Sequence, residues 1–439
     1  MAVKGFIFDY AKCIGCHACM VACHNENGVE PPMAWRQVQT ANKIKIPLSG
    51  FINLSIACNH CENPVCLAAC PAKAYTIDTT TGAVIHHSDR CMGCRYCTWA
   101  CPFDAPKFNP LKGVVEKCSL CNNRLLEGLN PACVEACPVG ALSFGEIDVK
   151  ESVLAPGFSE KKLRPKVLPL NSTILEKYPI QDISATGFEQ HNDKEIISVK
   201  SKISAKNEIP LVFFTFILAI SVGWFGTTLF EKATLTFKYI FVLLGFMAFV
   251  ASTFHLGKPF RAYRSILNIK KSWLSREILL FGIFEVSSIL YLFVLNEIWL
   301  QTFALLSGLF LLFAVDMIYS VTLKISNIPH SSSTLLTAIL VFSMLLNYID
   351  LFLIIASAKL MLYFIRYFKS NKQIGFKFIV LPFMRTLLLL LPLASAIVLR
   401  EIKLSGIIMI LTAELIDRIE FYNDLVVETP ETILNQNKV

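Results

Sequence analysis

The chain has 439 residues, 54% of them hydrophobic and only 17% charged, with a formal net charge of +8. That composition is too apolar for an ordinary soluble protein and too poor in charge for a disordered one. No nucleic-acid module accompanies the basic excess, so DNA and RNA are excluded as partners.

All sixteen cysteines lie between Cys13 and Cys137 and divide into four groups of four. These are Cys13, Cys16, Cys19, Cys23; Cys58, Cys61, Cys66, Cys70; Cys91, Cys94, Cys97, Cys101; and Cys118, Cys121, Cys133, Cys137. The third is the bacterial ferredoxin run C-x2-C-x2-C-x3-C-P, ending at Cys101-Pro102. Three closely spaced thiolates on a tight loop reach three irons of a cubane, and the fourth must come from elsewhere. In two-cluster ferredoxins the fourth cysteine crosses to the other cluster. Ala74 to Asp78 and Ala83 to His87 read as short strands around the Thr81-Gly82 turn, so groups two and three form one ferredoxin unit. Crossing then predicts four 4Fe-4S clusters. Their ligand sets are Cys58, Cys61, Cys66 with Cys101; Cys91, Cys94, Cys97 with Cys70; Cys13, Cys16, Cys19 with Cys137; and Cys118, Cys121, Cys133 with Cys23.

Structural zinc would use two C-x2-C pairs and has no need of the x3-Cys-Pro endings at Cys70-Pro71, Cys101-Pro102 and Cys137-Pro138. A disulfide framework is disfavoured because clusters need free thiolates and the stretch before Cys13 is too short for a secretory signal. His17, His24 and His60, beside cluster cysteines, read as neighbours of the sites rather than ligands.

Composition divides the rest. Residues 1–150 form the cluster domain, 151–208 a polar strap or linker with Pro156, Pro165, Pro169 and Pro179, 209–425 a membrane domain, and 426–439 a polar tail. Apolar runs long enough to cross a bilayer fall at about 210–230, 236–255, 278–296, 298–319, 333–348, 350–368, 378–399 and 403–423. The expected fold is thus an α+β ferredoxin-like four-cluster domain followed by an all-α domain of about eight transmembrane helices. Lys258, Arg261, Arg264, Lys270, Lys271 and Arg276 crowd the second loop, and Lys369, Lys372 and Lys377 the sixth. The opposite loops hold little beyond Lys232, Arg400 and Lys403, which places the basic loops, and the cluster domain with them, on the cytoplasmic face of the inner membrane. Docking of the cluster domain or attraction of anionic lipid is the competing use of those loops.

Ionisable residues inside spans are costly and mark candidate functions. Glu285, Asp316, Lys359, Glu414 and Arg418 qualify. Glu414 and Arg418, four apart on one helix face, are expected to neutralise each other, whereas Glu285 and Asp316 have no local partner.

The motifs F-I-F-D-Y-A-K-C-I-G-C-H-A-C, C-N-H-C-E-N-P-V-C, C-M-G-C-R-Y-C-T-W-A-C-P and C-V-E-A-C-P-V-G-A-L resemble the four-cluster electron-transfer subunit of the dimethyl sulfoxide reductase family of molybdopterin oxidoreductases. The second half resembles the membrane anchor subunit of the same enzymes, through H-L-G-K-P-F-R-A-Y-R from His255 to Arg264 and W-L-S-R-E-I from Trp273 to Ile278. Fusion of the two departs from the family's usual separate chains. Some relatives carry tryptophan in the third group, but Cys94 is a cysteine here. The resemblance implies a separate molybdopterin-containing catalytic subunit as partner, the quinone pool and bilayer as surroundings, menaquinol as electron donor, and anaerobic respiration as the setting. The chain itself would be an electron-transfer subunit, without the chemistry on the terminal substrate. His255, closing the second span with Lys258 and Arg261 one turn away, is the candidate group for taking quinol protons, since histidine exchanges a proton near neutral pH and the family links this histidine to menaquinol. A competing class, a transporter or ion pump driven by an attached ferredoxin domain, would show broken spans repeated in two halves. Only Pro382 and Pro392, both in the seventh span, interrupt the helices.

Overall fold

The first structured segment, Val-Lys-Gly-Phe-Ile-Phe-Asp, is rich in β-branched and aromatic residues, and it forms strand β1 (Val3–Asp9) with Phe6 and Phe8 turned into the core. The computed structural model describes residues 3–41, 52–148, 163–170, 203–320, 330–369 and 376–425. Most of the predicted linker and the whole 426–439 tail lie outside the described residues. The chain divides into two units, one reaching residue 200 and the other spanning 201–426.

In the first unit short hairpins alternate with short helices. The order is α1 (Ala18–Asn27), β2 (Gln37–Ala41), β3 (Ile52–Ile56), α2 (Val65–Ala69), β4 (Tyr75–Ile77), β5 (Val84–His86), α3 (Tyr96–Ala100), β6 (Lys107–Asn109), β7 (Val114–Glu116), α4 (Asn122–Leu126), α5 (Ala132–Glu135) and β8 (Leu142–Ile147). The predicted Thr81-Gly82 turn joins β4 and β5, which pair antiparallel. Gly82 there has φ +68°, and Asp78 Oδ1 accepts from the backbone N–H groups of Thr80 and Thr81, each at 2.9 Å. Part of the predicted linker is a strand, β9 (Val167–Leu170), which lies parallel to β1 while β8 lies antiparallel on its other side. Gly5 permits that approach, since a Cβ there would sit 2.5 Å from the Lys166 carbonyl oxygen.

The second unit is all α. Among the described residues it has eight helices: α6 (Ile209–Gly226), α7 (Leu235–Phe254), α8 (Trp273–Phe293), α9 (Ile298–Ser320), α10 (Thr334–Leu345), α11 (Ile349–Lys369), α12 (Phe376–Leu399) and α13 (Leu404–Asp424). Four stretches are long and apolar enough to cross a membrane: Ile209–Leu229, Leu235–Phe254, Ile298–Tyr319 and Val380–Leu399. The other four helices are short or carry several charges inside them. α8 begins five residues before the apolar run that predicts it, because Trp273 to Glu277, although partly polar, are helical and packed. Thr234 caps α7 by accepting from the Phe237 N–H at 3.1 Å. Phe225, Phe241 and Phe284 meet with ring centroids 5.7 to 5.9 Å apart, joining α6, α7 and α8. Gly223 brings α6 against α10, where a Cβ would lie 2.4 Å from the Ala338 carbonyl oxygen.

Charged residues of this unit are tied between helices. Lys359 Nζ stands 2.9 Å from Glu414, and both also bond Thr337. Asp417 meets Arg366 at 2.8 Å and Arg385 at 3.2 Å. Arg418 donates to Thr215 at 2.9 Å and to the Ser332 carbonyl at 2.7 Å. The expected pairing of Glu414 with Arg418 is therefore replaced by partners on neighbouring helices. Asp316 caps α10 from α9, accepting from Ser333 Oγ at 2.6 Å and from the Thr334 N–H at 3.0 Å.

Candidate functional site

Each cysteine group is built on one local plan. Two cysteines sit on a loop whose residue just before the second of them has positive φ: Gly15 at 70°, His60 at 42°, Gly93 at 74° and Leu120 at 64°. That left-handed residue folds the C-x-x-C loop back on itself, natural for glycine and strained for His60 and Leu120. Gly15 is needed for space as well, because a Cβ would lie 2.7 Å from Asn53 Oδ1 while Asn53 donates to the Cys13 carbonyl at 3.1 Å. The third cysteine then enters a short helix, as Cys19 in α1, Cys66 in α2, Cys97 in α3 and Cys133 in α5. The fourth follows four residues later, one turn on.

The structure gathers these thiols across the groups. Cys58, Cys61, Cys66 and Cys101 line one cavity. Cys70, Cys91, Cys94 and Cys97 line another. Cys13, Cys16, Cys19 and Cys137 line a third. The remaining four are neighbours too: Asn27 Nδ2 stands 3.9 Å from both Cys23 Sγ and Cys121 Sγ, and the Cys118 thiol interacts with those of Cys23 and Cys133. We refer to these as the Cys58, Cys91, Cys13 and Cys118 sites.

Contacts between sites set them in a row. Cys118 also feels Cys58, which joins the Cys118 and Cys58 sites. Cys19 interacts with Cys23, which joins the Cys13 and Cys118 sites. The helix pairs Cys66 with Cys70 and Cys97 with Cys101 join the Cys58 and Cys91 sites. The order along the row is Cys91, Cys58, Cys118, Cys13.

Their electrostatics suit a cationic guest. Burial, then the repulsion of neighbouring thiolates, pushes the Cys97 and Cys118 thiols well above the ordinary range. Burial pushes Cys23 up to about 12, with Arg36 pulling the other way. Burial likewise lifts Cys70 to about 11 against the pull of the Ala74 N–H. Ionising such buried thiols side by side calls for a cation among them, which the iron of a cluster would supply. Backbone N–H groups already point at the sulfurs, Ala74 to Cys70 and Leu120 to Cys118 at 3.3 Å and Gly93 to Cys91 at 3.4 Å. Among the described residues no three Cys, His, Asp or Glu side chains converge closely enough to hold a single metal ion. The thiols surround a space instead, as a cubane requires and a lone tetrahedral zinc does not. The residues present fit 4Fe-4S clusters.

Residues 51–147 match the family described as a 4Fe-4S dicluster domain, and residues 204–405 match the DMSO reductase anchor subunit (DmsC). A chain of the anaerobic dimethyl sulfoxide reductase of Escherichia coli (strain K12) is 40% identical over 152 residues, covering 33% of this protein and 74% of that relative. The protein belongs to the dimethyl sulfoxide reductase iron-sulfur subunit family. Within the same polypeptide it also carries the anchor, so iron-sulfur subunit and membrane anchor are fused. Similar in the same region are a putative dimethyl sulfoxide reductase iron-sulfur subunit of Halobacterium salinarum, 36% identical over 191 residues (36% of this protein, 72% of that one), and the thiosulfate reductase electron transfer subunit PhsB of Salmonella typhi, 41% over 148 (33% and 77%).

In the anchor, His255 caps the C-terminus of α7 and is buried, with 8% of its surface exposed. Its neighbours in sequence are open: Phe254, Phe260 and Tyr263 present large apolar surfaces. The basic loop after His255 is pinned by the motif that follows it. Ser275 Oγ donates to the Ser265 carbonyl at 2.6 Å, Arg276 donates to the Ile269 and Lys270 carbonyls at 2.9 and 2.8 Å, and its guanidinium lies 4.2 Å over the Trp273 ring. Glu277 of the same motif is buried, a placement its sequence context did not single out. Glu285 lies against Gly245 of α7, where a Cβ would come within 2.3 Å of its carboxylate, and its Oε1 has no hydrogen-bond partner among the described residues. Arg36 and Lys117, buried beside the thiols, also escaped the sequence reading; the only signal was that Lys117 immediately precedes Cys118.

Proposed function

We propose that this protein withdraws electrons from menaquinol at its membrane anchor and passes them through four 4Fe-4S clusters to a separate molybdopterin-containing catalytic subunit. The observation that carries this reading is the row of four cysteine quartets, each drawing its fourth thiol from a neighbouring group. Clusters in adjacent sites give one-electron stations close enough for transfer along the row. In the order of the row, Cys91, Cys94, Cys97 and Cys70 hold one; Cys58, Cys61, Cys66 and Cys101 the next; Cys118, Cys121, Cys133 and Cys23 the third; and Cys13, Cys16, Cys19 and Cys137 the fourth.

Quinol oxidation releases protons as well as electrons. His255, at a helix end with apolar surface beside it, accepts a proton at an imidazole nitrogen and returns it to water along the basic loop from Lys258. About eight helices, four of them long and apolar enough to cross, form the domain in the inner membrane, with the cluster domain on the cytoplasmic side by the distribution of lysine and arginine. A reporter active only in the cytoplasm, fused after Val439, is then active; signal from an export-dependent reporter instead places the domain outside.

Sixteen cysteines in four cubanes require sixteen irons and sixteen acid-labile sulfides per purified polypeptide. Stoichiometric zinc with iron near zero overturns the reading. Crossing is tested by Cys101→Ser, which is expected to alter the spectrum of the Cys58 site and leave that of Cys91, Cys94 and Cys97 in place.

A further inference from the structure

Two buried cations stand in the gaps of the row. Arg36, 2% exposed, donates from Nη1 to Ser55 Oγ at 2.9 Å, and the same Ser55 oxygen lies 3.4 Å from Cys19 Sγ. Its guanidinium stacks 4.6 Å over the Phe6 ring, which fixes it in place. Burial alone would weaken its charge; the thiolates around it, Cys133 first and then Cys118, Cys19 and Cys23, more than offset that. Arg36 therefore sits between the Cys118 and Cys13 sites. Lys117, 3% exposed, lines the Cys58 cavity, and its Nζ donates to the carbonyls of Val84 and Cys118. It occupies the gap between the Cys58 and Cys118 sites. Neither cation has a carboxylate within ion-pair distance among the described residues. Two positive charges have thus been buried without acidic partners, at a cost that only nearby negative charge repays.

We infer that Arg36 and Lys117 are positioning charges that raise the reduction potentials of the two inner sites of the row, Arg36 acting on the Cys118 site and Lys117 on the Cys58 site. The inference rests on the four-cluster reading. A cluster gains negative charge on reduction, so a fixed cation in a poorly solvated place favours the reduced form. Net charge near the cluster and hydrogen bonds to its sulfurs are the protein's main means of setting potential.

The test is a redox titration of the purified full-length protein followed by electron paramagnetic resonance. Signals are first assigned with the Cys101→Ser and Cys23→Ser proteins. Iron and sulfide content in the parent protein checks the cluster reading separately, so a failure there is told apart from a failure of this inference. In Arg36→Gln the reduced-to-oxidised ratio of the Cys118 site at its original midpoint is expected to fall about tenfold, equivalent to 59 mV for a one-electron couple. Lys117→Gln is expected to do the same at the Cys58 site, and neither change moves the Cys91 site. Arg36→Lys and Lys117→Arg, which keep the charge, should titrate like the parent. Unchanged midpoints in the Gln proteins with full iron content overturn the inference. If a Gln protein loses iron, a second neutral variant, Arg36→Met or Lys117→Met, decides: a fallen midpoint with full iron supports the inference, and a parent-like midpoint overturns it.

Discussion

The two halves of this protein bury charge in opposite ways. In the cluster domain, groups that ionise with one sign are gathered: four quartets of thiols, three of them lining cavities, with Arg36 and Lys117 as buried cations among them. In the anchor, opposite charges are matched between helices, Lys359 to Glu414 and Asp417 to Arg366 and Arg385. A surplus of one sign in a dry place needs something from outside to balance it, which is how a cofactor site announces itself. Matched charges balance themselves and describe structure. By that criterion one anchor group to watch is Glu285 against Gly245, whose Oε1 has no hydrogen-bond partner among the described residues, while His255 at the end of α7 is a candidate by its motif.

The largest effect is expected at His255, the candidate proton acceptor of the anchor. His255→Ala should leave sixteen irons and the membrane location intact, because the residue lies in a different unit from the cysteines. Quinol-dependent reduction of the catalytic partner should fall by roughly a hundred to ten thousand fold, the usual scale for losing a general acid or base. Reduction of that partner by a soluble artificial donor bypasses the anchor and should persist. Near-normal quinol turnover would return His255 to a plain helix cap and turn attention to Glu285.

Next in size is the matched pair Lys359 and Glu414, whose side chains are 0% and 2% exposed. Lys359→Ala leaves a buried carboxylate beside Thr337 and should cost about 3 to 5 kcal/mol, read as lost thermal stability in detergent. Replacing both, Lys359→Met with Glu414→Leu, should restore most of that loss. If the double change keeps stability but abolishes quinol turnover, the pair is chemical after all and the comparison between the halves breaks.

How far the sequence could reach follows the same line. The grouping of the cysteines was legible because a cubane dictates spacing: a C-x2-C pair on a loop, and two more cysteines one helical turn apart, as at Cys97 and Cys101. The turn at Thr81-Gly82 was legible from its residues alone. Arg36 was not, because a cation placed by tertiary packing over Phe6 leaves no periodic trace. Glu414 and Arg418 misled for a related reason. Spacing i, i+4 offers only a few tenths of a kcal/mol, and a lysine 2.9 Å away on another helix outweighs it. The strand Val167–Leu170 was hidden in a proline-containing stretch because its pairing with β1 comes from a segment far away in sequence.

Two glycines sharpen the contrast between a wall and a movable neighbour. At Gly223 a methyl group would meet the Ala338 backbone at 2.4 Å, and backbone cannot step aside. Gly223→Ala should therefore cost about 1 to 3 kcal/mol as overpacking, seen as a lower melting temperature. At Gly245 the obstacle is the Glu285 carboxylate, the tip of a side chain that can rotate. Gly245→Ala should melt closer to the parent while changing quinol turnover if Glu285 takes part in it. Equal losses at both positions would show Glu285 held as rigidly as backbone.

The smallest effect is expected at the exposed counterpart of the buried pairs. Arg400 and Asp350 meet at 2.9 Å, a distance equal to that of Lys359 and Glu414, but their side chains are 67% and 87% exposed at the ends of α12 and α11. Water and salt screen such a contact, and holding two side chains in one geometry offsets what attraction remains. Arg400→Ala should shift the melting temperature by no more than the scatter between preparations, at low salt as at high. A loss comparable to that of Lys359→Ala would mean that this helix end is covered in the assembled enzyme, by lipid headgroups or by a partner subunit, and that the pair belongs with the buried ones.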